Sequence, residues 1–548
     1  CLAILAVLVM AVVARCEETA PLAVAPPAPP AAAPPPAAPP PVPLAVAPPA
    51  VGAVVFEADF EAADALAAWP GRTGKVQLDA GCQGGRAVLI ESTDAAGGAH
   101  VSIPLAVEPV RGCRLLVSAM VRAENVSAKP QAWNGIKFMM PLVAGTARTW
   151  PQAEIGVGTF GWRRVVWQAI VPPGATEASL VLGLERVTGK VWFDDVRVTV
   201  RRPPIVAKPR PAAGPVYRGH DLPRLRGVMV SPNATADDLR TLGRVWKANL
   251  VRWQLTGFKP GIDTGDPAVY DAFLEKELKK LDAALPVCEE VGLAVVVDLH
   301  TAPGHWAEGE KNLFASAACQ KRFVEIWEGI ARRYKDAKAV WGYDLLNEPL
   351  ENAAAEDTLD WQGLAEKAAR AVRAIDPHRT IIVEPAPWGG PDAIRNLQPI
   401  DVPGVVYSVH MYMPHAFTHQ GVYGDPPKPI AYPGEIEGRM WDKAALEAAL
   451  APVVEFQKTY GVHIFLGEFS AIRWAPDSSA RRYLADCIDI FESRGWDWTY
   501  HAFREWSGWS VEHGSDRADT EPAREPTDRQ KLLLGWFAKN ARPAWAKP

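Results

Sequence analysis

The sequence predicts a multi-domain chain whose C-terminal part is a (β/α)8 barrel, preceded by a β-sandwich of the jelly-roll type and a Pro/Ala-rich spacer. Three observations carry this. Over 217–548, apolar β runs alternate with amphipathic helical stretches. Over 54–200, short alternating runs lie between Gly and Pro turns. Two proline-rich stretches, 17–53 and 201–216, separate these regions from a short apolar opening and from each other. With 548 residues, 48% hydrophobic and 22% charged, the chain can bury several cores, which excludes a disordered protein. A net charge of -5 supplies no basic field for nucleic acid.

The elements follow in chain order. Leu2 to Val13 is apolar and precedes Arg15 and Cys16, the pattern of an export signal over 1–16, so the chain is expected to be secreted or held at the cell surface by bacterial-type export. Lipidation at Cys16 is the second reading, and Arg15 stands where such a site wants a small residue. Over 17–53 Pro, Ala and Val dominate, a composition that stays extended as polyproline II and serves as a spacer. In the sandwich the clearest runs are Arg114 to Val121, Val165 to Val171, Ser179 to Leu184 and Lys190 to Val198. The seven cysteines form no C-x-x-C pair, so zinc-finger and redox motifs are excluded; Cys82 and Cys113 are the candidate disulfide, with free buried thiols as the alternative.

Barrel strands are predicted at Leu225 to Val230, Leu250 to Gln254, Ala294 to Leu299, Val340 to Leu346, Ile381 to Glu384, Val405 to His410, Ile464 to Glu468 and Asp497 to Phe503. Helical patterns cover Asp271 to Val291, Ser316 to Tyr334, Asp360 to Asp376, Asp442 to Tyr460 and Ser478 to Ser493. A doubly wound open sheet is the alternative, and it lacks the Gly-rich phosphate loop after its first strand.

In a barrel of this kind the reacting groups project from the C-terminal ends of the strands. The polar residues closing the apolar runs are Arg252 on the second, His300 on the third, Asn347-Glu348-Pro349 on the fourth, His410-Met411-Tyr412 on the sixth and Gly467-Glu468 on the seventh, with Trp506 after the eighth. Two glutamates at strand ends are what acetal cleavage demands, one to protonate the leaving oxygen and one to attack carbon or activate water.

These motifs, in this order, resemble glycoside hydrolase family 5, the cellulase family of retaining (β/α)8 glycosidases, across the barrel region; the loop Pro414 to Gly421 is similar as well. The resemblance implies Glu348 as acid/base and Glu468 as nucleophile, with Asn347 bonding the sugar 2-OH. Tyr412 and Arg252 would hold Glu468, while His300 and His410 would bind sugar hydroxyls and the carboxylates. One departure stands out, because His501 occupies the place where many members floor the sugar subsite with tryptophan; Trp506 would serve instead, with Trp306 and Trp388 as further stacking candidates. The region 54–200 resembles carbohydrate-binding modules through Phe160 to Arg164 and Gly189 to Val196. Trp162 and Trp192 are read as packing the sandwich, and Trp133 and Trp150 as sugar contacts. Glu57, Asp59 and Asp195 could ligate a structural calcium, and no cofactor is otherwise required.

The expected protein is a monomeric, secreted, retaining endo-β-glycanase acting on plant-type polysaccharide, foremost β-1,4-glucan, with no nucleic-acid partner and no membrane attachment unless Cys16 is lipidated. A mannanase, xyloglucanase or β-1,3-glucanase of the same fold is the alternative. Outside that class stand a non-catalytic carbohydrate-binding protein and a metal-dependent barrel hydrolase. The first would have lost Glu348 or Glu468, and the second lacks an H-x-H pair after its first strand.

Overall fold

A computed structural model describes residues 49–209, 215–256, 263–305, 307, 311–424, 426 and 428–546. The apolar opening with Cys16, the Pro/Ala-rich stretch through 48, residues 210–214 of the second spacer, and Trp306 lie outside the described residues. Contacts divide the chain into two units, one running to Val206 and including Asn352–Asp360, the other made of Ala207–Glu351 and Trp361–Pro548.

The first unit holds two antiparallel sheets of six strands each. Its long strands are Arg114–Val126, Gly158–Ile170, Ala175–Glu185 and Gly189–Arg202. The last of them runs two residues into the stretch assigned to a spacer. Strand alternation decides what each face carries. Val88, Ile90, Val117, Leu182 and Phe193 point into the common core, where the Phe138 and Phe193 rings meet across the two sheets at 5.8 Å. Trp192 packs on the sandwich, though not between its two sheets. Because its neighbour Phe193 faces inward, Trp192 faces outward, packing with Ala87, Leu89 and Trp162 in a small cluster of its own. Its indole N–H donates to Asp79 at 2.8 Å, and the Arg122 guanidinium lies 4.5 Å above the ring.

The candidate disulfide is corrected. Cys82 and Cys113 are free thiols. Cys113 is buried in the core, which pushes its thiol up to about 11, while the Cys82 N–H donates to Asp194 in a separate turn. Glu57, Asp59 and Asp195 are all exposed, and the three do not come within ligand spacing of one another.

The second unit is built on a closed barrel of eight parallel strands, hydrogen-bonded in chain order. They are Arg226–Val230, Leu250–Gln254, Ala294–Asp298, Val340–Asp344, Thr380–Val383, Val405–Met411, Ile464–Phe469 and Asp497–Phe503. Runs such as Ala-Val-Val-Val are buried along their whole length because a parallel barrel covers its strands on both sides. Helices Pro267–Val291, Ala317–Tyr334, Trp361–Ile375 and Ser479–Arg494 lie between strands, and Asp266 and Ser316 cap the first two by accepting backbone N–H bonds. The stretch read as one helix from Asp442 to Tyr460 is two, Lys443–Ala449 and Ala451–Tyr460. Pro452 has no N–H to continue the ladder, so the break falls just ahead of it.

At the opposite end of the barrel from the strand-end motifs, Asp497 Oδ2 lies 2.8 Å from His220 Nε2 and 2.7 Å from His463 Nε2, and its Oδ1 accepts the Leu225 N–H at 2.8 Å. These are residue types that bind metals. The spacing is that of direct hydrogen bonds, whereas two ligands on ~2.1 Å bonds to a tetrahedral zinc would stand roughly 3.4 Å apart.

Candidate active site

Arg252, wholly buried on the second strand, organises the C-terminal end of the barrel. Its Nε donates to Asp344 at 3.0 Å and its Nη1 to Glu468 Oε1 at 2.8 Å. Nη2 donates to Asn347 Oδ1 at 3.0 Å and Glu384 Oε1 at 2.9 Å, and lies 3.1 Å from Asp298. One planar fork thus fixes five residues from the ends of four other strands, a task that suits guanidinium better than a flexible ammonium. By accepting from Arg252, the Asn347 oxygen leaves its NH2 as the free donor of that amide.

Glu348 sits at φ 42, a left-handed conformation that a non-glycine residue adopts only when its surroundings impose it. Here the restraint is Glu384, whose Oε2 accepts the Glu348 N–H at 2.8 Å. The Glu348 Oε1 then lies 2.8 Å from His410 Nδ1, while His410 Nε2 stands 3.1 Å from Glu384. Two glycines permit this crowding. A Cβ on Gly467 would come within 2.6 Å of Ser408 Oγ and 2.9 Å of His410 Nε2, and one on Gly389 within 2.8 Å of Glu384 Oε2.

Glu468 has a different environment. Tyr412 donates its hydroxyl to Oε2 at 2.8 Å, complementing Arg252 on Oε1. Burial pushes the Glu468 carboxyl up, but His410, His501, Arg252 and His300 more than offset it, so its pKa is held far below the usual range. For Glu348, burial and the nearby Glu468 and Glu384 carboxylates outweigh His410, and the pKa is raised. Burial also disfavours charge on His410, yet Glu384, Glu468 and Glu348 keep it a strong base. Ligand oxygens of Glu348 and Glu468 and a ring nitrogen of His410 all lie within 4.8 Å of one another. The 2.8 Å contact between Glu348 and His410 is a hydrogen bond.

The remaining residues read from the sequence divide. His300 is brought to the same end, where its Nδ1 lies 2.8 Å from Asp298, with no hydrogen bond to Glu348 or Glu468 among the described contacts. Trp506 is half exposed, with Trp474 and Trp509 rings at 5.8 and 5.6 Å. Trp388 is half-buried in the loop after the fifth strand. Sequence reasoning passed over Asp298, Asp344, Glu384 and Glu505, and over Trp509, which packs against Tyr412, His419 and His501. The signal for Glu384 was there, since it closes the apolar run of the fifth strand just as Glu348 and Glu468 follow theirs.

The sequence profile described as cellulase, glycosyl hydrolase family 5, matches residues 215–507. The chain belongs to glycosyl hydrolase family 5. It is therefore a glycoside hydrolase. Among curated relatives in the family, endoglucanase C of Acetivibrio thermocellus is 30% identical over 246 residues, a match covering 40% of this chain and 71% of the relative. Cellodextrinase A of Ruminococcus flavefaciens is 26% identical over 240 residues, covering 43% and 70%. Among solved structures, an endoglucanase of Thermotoga maritima is 26% identical with a TM-score of 0.43, covering 56% of this chain and 96% of its own.

Proposed function

We propose that this family 5 enzyme is a retaining endo-β-1,4-glucanase in which Glu348 is the acid/base and Glu468 the nucleophile. The observation that carries this reading is the pairing of two carboxyl groups whose oxygens approach within 4.8 Å while their surroundings drive their pKa values in opposite directions. Retaining glycosidases hold their carboxyls ~5–5.5 Å apart, whereas inverting enzymes leave ~6.5–9.5 Å for a water. In the first step Glu468 attacks the anomeric carbon while protonated Glu348 gives its proton to the departing oxygen. In the second, Glu348 takes a proton from water, which attacks the same carbon and returns Glu468 to its carboxylate. Asn347 offers its NH2 to the sugar 2-OH, and Trp506 supplies an exposed face for stacking.

The glucan specificity rests on the relatives named endoglucanase. The apolar run Leu2 to Val13 supports action outside the cell, and the exposed Trp133 and Trp150 give the sandwich the role of holding polysaccharide. NMR of hydrolysis in progress tests the mechanism: a β-anomer should form first from a β-glucan, and an α-anomer formed first would overturn it. Rates on β-glucans, mannans and xylans, measured side by side, test the specificity.

A further inference from the structure

His501, on the eighth strand, has no task in the reaction as proposed, yet it stands next to the nucleophile's own hydrogen-bond donor. Its Nδ1 lies 2.8 Å from the Tyr412 hydroxyl, which in turn lies 2.8 Å from Glu468 Oε2. Its Nε2 faces Glu505 Oε1 at 3.6 Å, and Glu505 Oε2 is held by Gln254 Nε2 at 2.6 Å. A phenol has one proton, and here two acceptors are within its reach.

We propose that His501 is a positioning residue: its Nδ1–H, backed by Glu505 at Nε2, donates to the Tyr412 oxygen and so commits the single phenolic proton to Glu468. The inference rests on the reading of Glu468 as the nucleophile. The surrounding groups favour this arrangement. Burial opposes charge on His501, but Glu468, 4.0 Å from Nδ1, and Glu505 raise its pKa, with His410 acting against them. His419, also facing His501, is itself held well below the ordinary histidine range by burial, and the Trp509 ring at 5.7 Å is uncharged. Burial and Glu468 lift the Tyr412 phenol well above its ordinary range, so it stays a donor. When His501 loses a proton, Glu505 retains the one on Nε2. Nδ1 then becomes an acceptor that competes with Glu468 for the phenolic proton.

The two chemical steps feel this differently. In the second, the bond from the anomeric carbon to Glu468 breaks and negative charge returns to the carboxylate, so a donor on Oε2 stabilises the transition state. In the first, the same donor only stabilises the starting carboxylate. On an activated aryl cellobioside, whose first step is fast, kcat reports the second step and kcat/KM the first. Glu348 acts as a base in the second step, so rising pH does not impair it; since His410 also titrates beside Glu348, the mark of His501 is the part of an alkaline fall in kcat that a non-titrating replacement at 501 removes.

His501→Asn places an amide nitrogen near the Nδ1 position and cannot titrate. It should keep kcat within about threefold and lose the alkaline fall, while His501→Leu, which likewise cannot compete for the phenolic proton but leaves the Tyr412 oxygen without its donor, should lower kcat about tenfold or more, what one hydrogen bond from a charged group carries. Glycosyl-enzyme should accumulate in intact-mass spectra of the leucine variant, with kcat/KM little changed. An unaltered alkaline limb in His501→Asn, or equal losses in kcat and kcat/KM for both variants, overturns the proposal. Should His501→Leu not fold, the wild-type and asparagine profiles decide by themselves. Turnover surviving in Glu468→Gln overturns instead the assignment of the nucleophile.

Discussion

Burial raises the Glu348 carboxyl and, with the smaller push of the Glu468 and Glu384 carboxylates, outweighs the lowering by His410, so Glu348 keeps its proton above the usual carboxylate range. The first step needs that proton. On polysaccharide, kcat/KM should therefore fall as pH rises through the raised pKa of Glu348, while the depressed pKa of Glu468 keeps the nucleophile ionised well into acid. Glu348→Ala should lose ~10²–10⁴-fold on natural substrate, the range of general acid catalysis, but much less on activated aryl glycosides, with azide restoring part of the second step. Equal loss on both substrates without an azide response would remove Glu348 from the acid/base role. At this scale the sequence pointed to Arg252, Asn347, His410 and Tyr412 as polar residues closing apolar runs, and the structure brings them to one end of the barrel. The sequence was silent on pairing. Asp298, Asp344 and Glu384 meet the same criterion, but that all of them converge on one arginine follows from barrel closure and strand register, which linear spacing does not encode.

Strands were read with more success than helices, and for a physical reason. A buried parallel strand is a short apolar run with polar ends, and all eight runs read from the sequence overlap barrel strands. The helix read from Asp442 to Tyr460, before the seventh strand, is split because Pro452 overrides an amphipathic pattern, and between the fifth and sixth strands, where no helix was read, the structure has only the short turn Pro391–Asn396. Asp497 illustrates what starting a strand can do beyond periodicity. It ties the eighth strand to His220 in the chain before the first strand and to His463 just before the seventh. Burial pushes its carboxyl up, but hydrogen bonds from both histidines hold it far below the ordinary value of 3.8. A depressed folded pKa contributes stability that is complete above the unfolded value and is lost as pH falls. Asp497→Asn should destabilise the barrel by about 3–5 kcal/mol at neutral pH, as for loss of one partner of a buried pair. Its Tm should also depend less on pH below about 5 than that of the wild type. Parallel thermal melts from pH 7 to 3 check both statements, and two curves that fall together would show that Asp497 has no share in acid stability.

For the whole molecule, the question is what a second unit adds to an enzyme whose reacting groups all lie in the barrel. Trp133 and Trp150 are 58% and 60% exposed in a unit that buries Trp69 and Trp167, and an exposed indole is a surface suited to a sugar face. The structure brings their chain segments together. Gln152, two residues after Trp150, donates to the Trp133 carbonyl at 3.3 Å and accepts from buried Lys137 at 3.0 Å. Lys137 lies 2.7 Å from Glu185, which also accepts from Asn134 at 2.9 Å. Two apolar faces beside fixed polar groups are the composition of a carbohydrate contact, apolar for the ring and polar for its hydroxyls. Holding polymer near the barrel raises its effective concentration without changing the chemical step. The double replacement of Trp133 and Trp150 by Ala in the full chain should therefore leave turnover of soluble glucan within about twofold and lower release from insoluble cellulose roughly threefold or more. Sedimentation with insoluble cellulose should fall in parallel. If soluble and insoluble rates drop together in a folded variant, the tryptophans act through the catalytic unit; if neither rate nor binding moves, the exposed pair is not a polysaccharide contact.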